Sequence, residues 1–153
     1  AIDNVKGIQS QGVAATVKHF ALNNKETDRK HSDSRVSERA AREIYLKAFE
    51  YVIKGAKPWA VMSSYNIING CYASENKELL EDILRDEWGF DGMVTTDWWT
   101  LGEHYKEVKA GNDMKMACGD PKRLKEAMDQ GLLTRQDLEH CAERVLNLIM
   151  KLD

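Results

Sequence analysis

The chain has 153 residues, of which 42% are apolar and 31% charged, with only two prolines; this suits one globular unit with a real core and argues against disorder. Its formal charge of −3 arises from 22 basic and 25 acidic residues interspersed along the chain, leaving no basic stripe for nucleic acid and no polybasic membrane patch. No apolar run approaches the roughly 18 residues of a spanning helix, and Cys71, Cys118 and Cys141 show no C-x-x-C spacing, which argues against a disulfide framework or a zinc site.

Residues 1–11 lack the charged and apolar regions of a signal peptide, but the chain reads as the interior of a larger protein, so this says nothing of export. Residues 14–20 form a short apolar strand, followed by a polar loop over 23–33. A helix over about 37–54 is expected to bury Ala41, Ile44, Tyr45, Ala48, Phe49 and Val52 on one face, with Gly55 ending it. A second strand over 60–65 leads through an Asn-Gly turn to a helix capped by Asn76, with Leu79, Leu80, Ile83 and Leu84 inward and Gly89 as its stop. The third strand, 93–96, precedes a short helical stretch over 101–108, and a fourth short strand is expected near 112–116. Asp120-Pro121 then starts a helix that runs to Gln130. Thr134 and Asp137 start the last helix, with Leu138, Cys141, Ala142, Val145, Leu146 and Ile149 at helical spacing.

Four strand–helix alternations predict a parallel sheet with helices outside, either a (β/α)8 barrel or an open doubly wound sheet. No Gly-rich phosphate fingerprint follows any strand, which favours the barrel. A complete barrel needs about 250 residues, so the chain reads as a partial TIM barrel of about four βα units. The run Gly92-Met-Val-Thr-Thr-Asp-Trp-Trp99 is a β-branched strand that ends in one carboxylate and two indoles. It delivers Asp97 to the strand's carboxyl end, where barrels place their chemistry.

Four blocks carry a resemblance to a known family: Val17-Lys18-His19-Phe20 running to Arg29, Val61-Met-Ser-Ser-Tyr65-Asn66 with Asn69-Gly70, Glu87-Trp-Gly-Phe-Asp-Gly92, and Thr96-Asp97-Trp98. In this order they resemble glycoside hydrolase family 3, over roughly residues 12–152. The resemblance implies the carboxyl-terminal half of that family's amino-terminal barrel domain across residues 1–153, with the first half of the barrel and the following α/β sandwich domain absent. It implies a retaining exo-β-glycosidase, most simply a β-glucosidase cleaving terminal β-linked glucose, with a β-xylosidase or another exo-glycosidase of the family as the alternative. No metal or organic cofactor is implied.

Retaining glycosidases use one ionised carboxylate as nucleophile and one carboxylic acid as proton donor. By the resemblance Asp97 is the nucleophile, Lys18 and His19 bind sugar hydroxyls, and Arg29 holds its loop or reaches the sugar. Tyr65 stands beside the nucleophile, and Trp98 is an apolar platform for a pyranose ring; Trp99 is the weaker candidate. In most of the family the acid/base comes from the missing downstream domain, so Glu26, Glu75 and Glu103 are not assigned that role. His31-Ser32-Asp33 reads as loop and cap chemistry, because working triads assemble from distant positions. The loop Ala21-Leu-Asn-Asn-Lys-Glu26 lacks the histidine signature of the family's β-N-acetylglucosaminidases. In Ala110-Gly-Asn-Asp-Met-Lys115-Met116, Lys115 stands where an acidic residue is frequent and the usual following proline is missing. The expected partners are a β-linked oligosaccharide or glucoside and the rest of the barrel, while open sheet edges also allow self-association or a non-catalytic assembly role.

Overall fold

The computed structural model describes residues 1–152. In chain order it comprises helix α1 (Ile2–Gln9), strands β1 (Thr16–Phe20) and β2 (Asp33–Ser34), and helix α2 (Glu38–Ala40), which passes through a π-helical turn, π1 (Ala41–Tyr45), into α3 (Lys47–Ala56). Strands β3 (Ala60–Ser63), β4 (Ile67–Ile68) and β5 (Cys71–Tyr72) precede a second π-helical segment, π2 (Glu78–Glu87), and strand β6 (Met93–Thr95). Helices α4 (His104–Lys109), α5 (Pro121–Asp129) and α6 (Arg135–Leu152) complete the order.

Strands β1, β3 and β6 form a parallel sheet in that order, with Val17 opposite Val61 and Val61 opposite Val94. Phe20, Val61 and Val94 are fully buried beside Leu80 and Leu84 of π2, in the core between sheet and helices. Phe20 meets Phe49 and Trp88 edge to face at centroid distances of 5.1 and 5.8 Å. The strand is irregular between Val17 and Phe20, and His19, just before Phe20, is half-buried and outside this core cluster. A second small sheet has the order β2-β4-β5; its Asp33 also accepts from the Gly70 N–H.

The fourth strand shrinks to a single parallel bridge between Thr95 and Met114. The Asp113 carboxylate is the cause: it takes the Val94 N–H at 2.7 Å, a donor that a full ladder would satisfy with a backbone carbonyl, and it is itself held by Arg85 and Arg144. Burial pushes the Asp113 carboxyl above the usual range, against the pull of Arg85.

The helix over 37–54 also differs from its expected face. Ser37 caps it and Val52 is buried, but Ile44 is 66% exposed, Tyr45 and Ala48 are exposed, and Leu46 and Ile53 are buried instead. The π turn inserts one residue into the helical ladder, seen as the Leu46 N–H donating to Ala41, and rotates everything downstream by about 100°. Gly55 does not end this helix; the left-handed residue is Lys57, at φ +48°. Gly55 lies inside α3, where Ile2 of α1 comes within 2.8 Å of the point a Cβ would occupy. Helix α1, which the sequence reading passed over, packs Val5 on Val52 and Ala56.

The remaining signals hold: Asn76 accepts from the Leu79 N–H, Asp120 from Lys122 and Arg123, and Asp137 and Thr134 cap reciprocally. On α6, however, Ala142, Leu146 and Ile149 remain exposed although the spacing marked them as inward.

Gly92 sets the entry of β6. A Cβ there would lie 2.5 Å from the Trp59 carbonyl oxygen and 2.7 Å from the Phe90 ring, and the backbone contact cannot rotate away. Gly92→Ala is therefore expected to cost about 1–3 kcal/mol by overpacking, read as a Tm lower by several degrees; an unchanged Tm would show that the strand entry yields freely.

Candidate active site

Asp97 lies two residues past the end of β6 and is 7% exposed. Its Oδ1 accepts the Trp98 N–H at 2.7 Å, closing the turn after the strand, and its Oδ2 lies 3.4 Å from Nε2 of His19. One carboxylate oxygen is thus spent on the backbone, and the other faces an imidazole from the first strand. Thr96, fully buried, donates to the Asp97 carbonyl at 2.8 Å and accepts from the Met116 N–H at 3.0 Å, so the turn is tied to the segment after it.

Tyr65 stands just past β3. Its hydroxyl donates to the Trp98 carbonyl at 2.6 Å. Burial, reinforced by the neighbouring Asp97 carboxylate and opposed by Arg29, pushes the phenol above its ordinary pKa, so it remains a donor. The Arg29 guanidinium lies 4.6 Å from the Tyr65 ring centroid and pairs with Glu26 at 2.9 Å, the loop ion pair weighed for it from sequence. His31 pairs with Asp28 at 2.8 Å within the same loop, outside the Asp97 cluster.

Geometry therefore gathers His19, Arg29, Tyr65, Asp97 and the Trp98 backbone into one place. Lys18 is exposed and makes no hydrogen bond or ion pair among the described residues, so the group at Asp97 is His19. The Lys18–His19 and Phe20–Ala21 peptide bonds are cis. Trp98 and Trp99 are 40% and 58% exposed, and Trp99 adopts a left-handed backbone at φ +53°. Two contributors escaped the sequence reading. Thr96 looks like an ordinary β-branched strand residue, and Lys30 follows a block whose signal ends at Arg29. A cleft of about 450 Å³ between π1 and π2, floored by Leu22, Leu46, Ile68 and Ile83, lies apart from this cluster.

A carboxylate at a strand's carboxyl end, with an imidazole and a phenol from neighbouring strand ends beside it and two exposed indoles following it in the chain, is suited to holding a sugar ring with one anionic oxygen near it. The model of the glycosyl hydrolase family 3 N-terminal domain matches residues 1–148. The chain belongs to glycosyl hydrolase family 3. β-Glucosidase A of Butyrivibrio fibrisolvens is 62% identical over 135 residues, covering 88% of this chain and 16% of that protein. The exo-α-(1→6)-L-arabinopyranosidase of Bifidobacterium longum is 45% identical over 152 residues, covering 99% of this chain and 20% of that protein. Among solved structures, β-glucosidase 3B from Thermotoga neapolitana in complex with glucose superposes with a TM-score of 0.93 at 44% identity, covering 99% of this chain and 22% of that one. The chain thus spans about a fifth of the length of these family 3 proteins, and its parallel sheet with outer helices is part of the family's barrel domain.

Proposed function

We propose that this chain is the carboxyl-terminal half of the barrel domain of a retaining exo-β-glycosidase, acting within a longer protein, with Asp97 as nucleophile. One observation carries the reading: Asp97 is nearly buried just past β6, with Oδ1 fixed by the Trp98 N–H and Oδ2 3.4 Å from His19, beside the Tyr65 phenol. In that arrangement Oδ2 attacks the anomeric carbon as the leaving oxygen is protonated by an acid outside this chain. A covalent glycosyl-aspartate forms and water then hydrolyses it. His19, with Lys18 beside it, binds ring hydroxyls; Tyr65 holds the nucleophile's turn; Arg29 backs Tyr65; and Trp98 offers an apolar face to the sugar.

β-Linked glucose is the favoured substrate, because β-glucosidases are among the most similar relatives. A second reading, an exo-glycosidase for another pyranose, draws on the Bifidobacterium arabinopyranosidase at 45% identity. The test is intact-mass and peptide analysis after incubation with an activated 2-deoxy-2-fluoroglucoside, which halts a retaining enzyme at the intermediate. A single adduct on Asp97 in the full-length protein is the expected result. Labelling at another carboxylate there would remove Asp97 from the role. A glucoside that fails to label while the corresponding 2-fluoro sugar of another pyranose succeeds would select the second reading.

A further inference from the structure

Among the cations of the loop after β1, Lys30 is the one that reaches the turn after β6. Arg29 is committed to Glu26 and His31 to Asp28, whereas the Lys30 ammonium has no carboxylate partner among the described residues. It reaches across 69 positions of sequence to donate to the Trp99 carbonyl at 3.0 Å, and it lies 5.0 Å from the Tyr65 ring centroid. Tyr65 meanwhile donates to the Trp98 carbonyl at 2.6 Å. Two consecutive carbonyls of the turn that follows Asp97 are therefore held by side chains from two other strand-end segments. The Trp99 N–H donates to the Met116 carbonyl at 3.3 Å, so the Lys30 and Tyr65 bonds hold the opposite, carbonyl side of the same turn; both indoles are substantially exposed, and Trp99 occupies a left-handed conformation that L-residues rarely adopt without support.

We propose that Lys30 is a positioning residue: by clamping the Trp99 carbonyl against Tyr65 it aims the Trp98 and Trp99 indoles at the bound sugar and so sets substrate affinity. This rests on the reading of Asp97 as nucleophile and Trp98 as sugar-facing. A lysine suits the task because its ammonium is a compact charged donor that serves a carbonyl and an aromatic face at once. Its stem also reaches across the gap between the two segments.

The experiment has two arms. The first labels the four tryptophans of this chain with 5-fluorotryptophan and follows their ¹⁹F signals. Lys30→Met is expected to move the Trp98 and Trp99 signals and leave Trp59 and Trp88 in place; Lys30→Arg, which keeps a charged donor, returns them toward their original positions. The second arm measures aryl β-glucoside kinetics in the full-length protein. Lys30→Met is expected to raise KM about tenfold with kcat within about twofold, and Lys30→Arg to recover most of the loss. Unmoved Trp98 and Trp99 signals overturn the proposal. So does a shift of all four signals together without rescue by arginine, the mark of general destabilisation, and so does an unchanged KM. A fully active Asp97→Asn protein would instead sink the nucleophile assignment, and with it the catalytic meaning of the clamp, whatever the tryptophan signals do.

Discussion

Asp97→Asn is expected to lower kcat for an aryl β-glucoside at least about a thousandfold in the full-length protein, equivalent to about 4 kcal/mol of barrier, while the fold stays intact. The amide is isosteric, and its oxygen can still accept the Trp98 N–H that Oδ1 accepts now at 2.7 Å, so the turn and its indoles keep their place. What disappears is the anionic oxygen facing His19, the atom proposed to form the bond to the sugar. Asp97→Ala goes further by opening space: azide should enter, restore part of the rate and leave an α-glycosyl azide, since a single displacement inverts the anomeric centre. Asparagine activity within tenfold of the parent, with no azide effect in the alanine variant, would mean another group attacks.

The largest stability effect is expected away from the chemistry, at Lys115. This lysine stands where an acidic residue is frequent in the family, and the fold shows what accompanies it. Its ammonium is nearly buried, 2.5 Å from Glu107, and donates also to Thr100 and the Gly102 carbonyl at 3.1 and 3.0 Å. Glu107 is fully buried and takes the Ser74 hydroxyl on its other oxygen at 2.8 Å. Lys115→Met would strand that carboxylate in the interior, where losing one partner of a buried pair costs about 3–5 kcal/mol. For a chain of this size the Tm should fall by about 10 °C. Adding Glu107→Leu removes the orphaned charge and is expected to recover much of the loss, as buried pairs seldom outperform well-packed apolar side chains. A single variant that melts within about two degrees of the parent would show Glu107 to be compensated elsewhere.

Much of the site was legible before any coordinates because it depends on local sequence. The apolar run Met93-Val94-Thr95 makes a buried parallel strand wherever it packs, and a polar residue just beyond such a strand lies at its carboxyl end; this located Asp97 and, after β3, Tyr65, while His19 belongs to the last residues of β1 itself. Asn76, Asp120 and the Thr134–Asp137 pair capped their helices as read, because capping is settled within four residues of chain. Residue type and spacing thus determined the strand–helix alternation, the caps, and which carboxylate stands at the end of β6.

Tertiary structure decided whatever depended on partners distant in sequence. The π turn at Ala41–Tyr45 moved the buried face from Ile44 to Leu46, which a regular 3.6-residue period cannot foresee. Gly55 resembles a helix stop in sequence, yet it is a helical residue lacking a side chain where Ile2, 53 positions earlier, presses in. Asp113 took the Val94 N–H and reduced the fourth strand to one bridge, because a side chain outcompeted a backbone carbonyl for the same donor. Lys30 met the Trp99 carbonyl only once the loops after β1 and β6 had been brought together. Local preferences act within a few residues and can be read from the chain, whereas contacts between strand ends exist only after the parallel sheet has set those ends side by side.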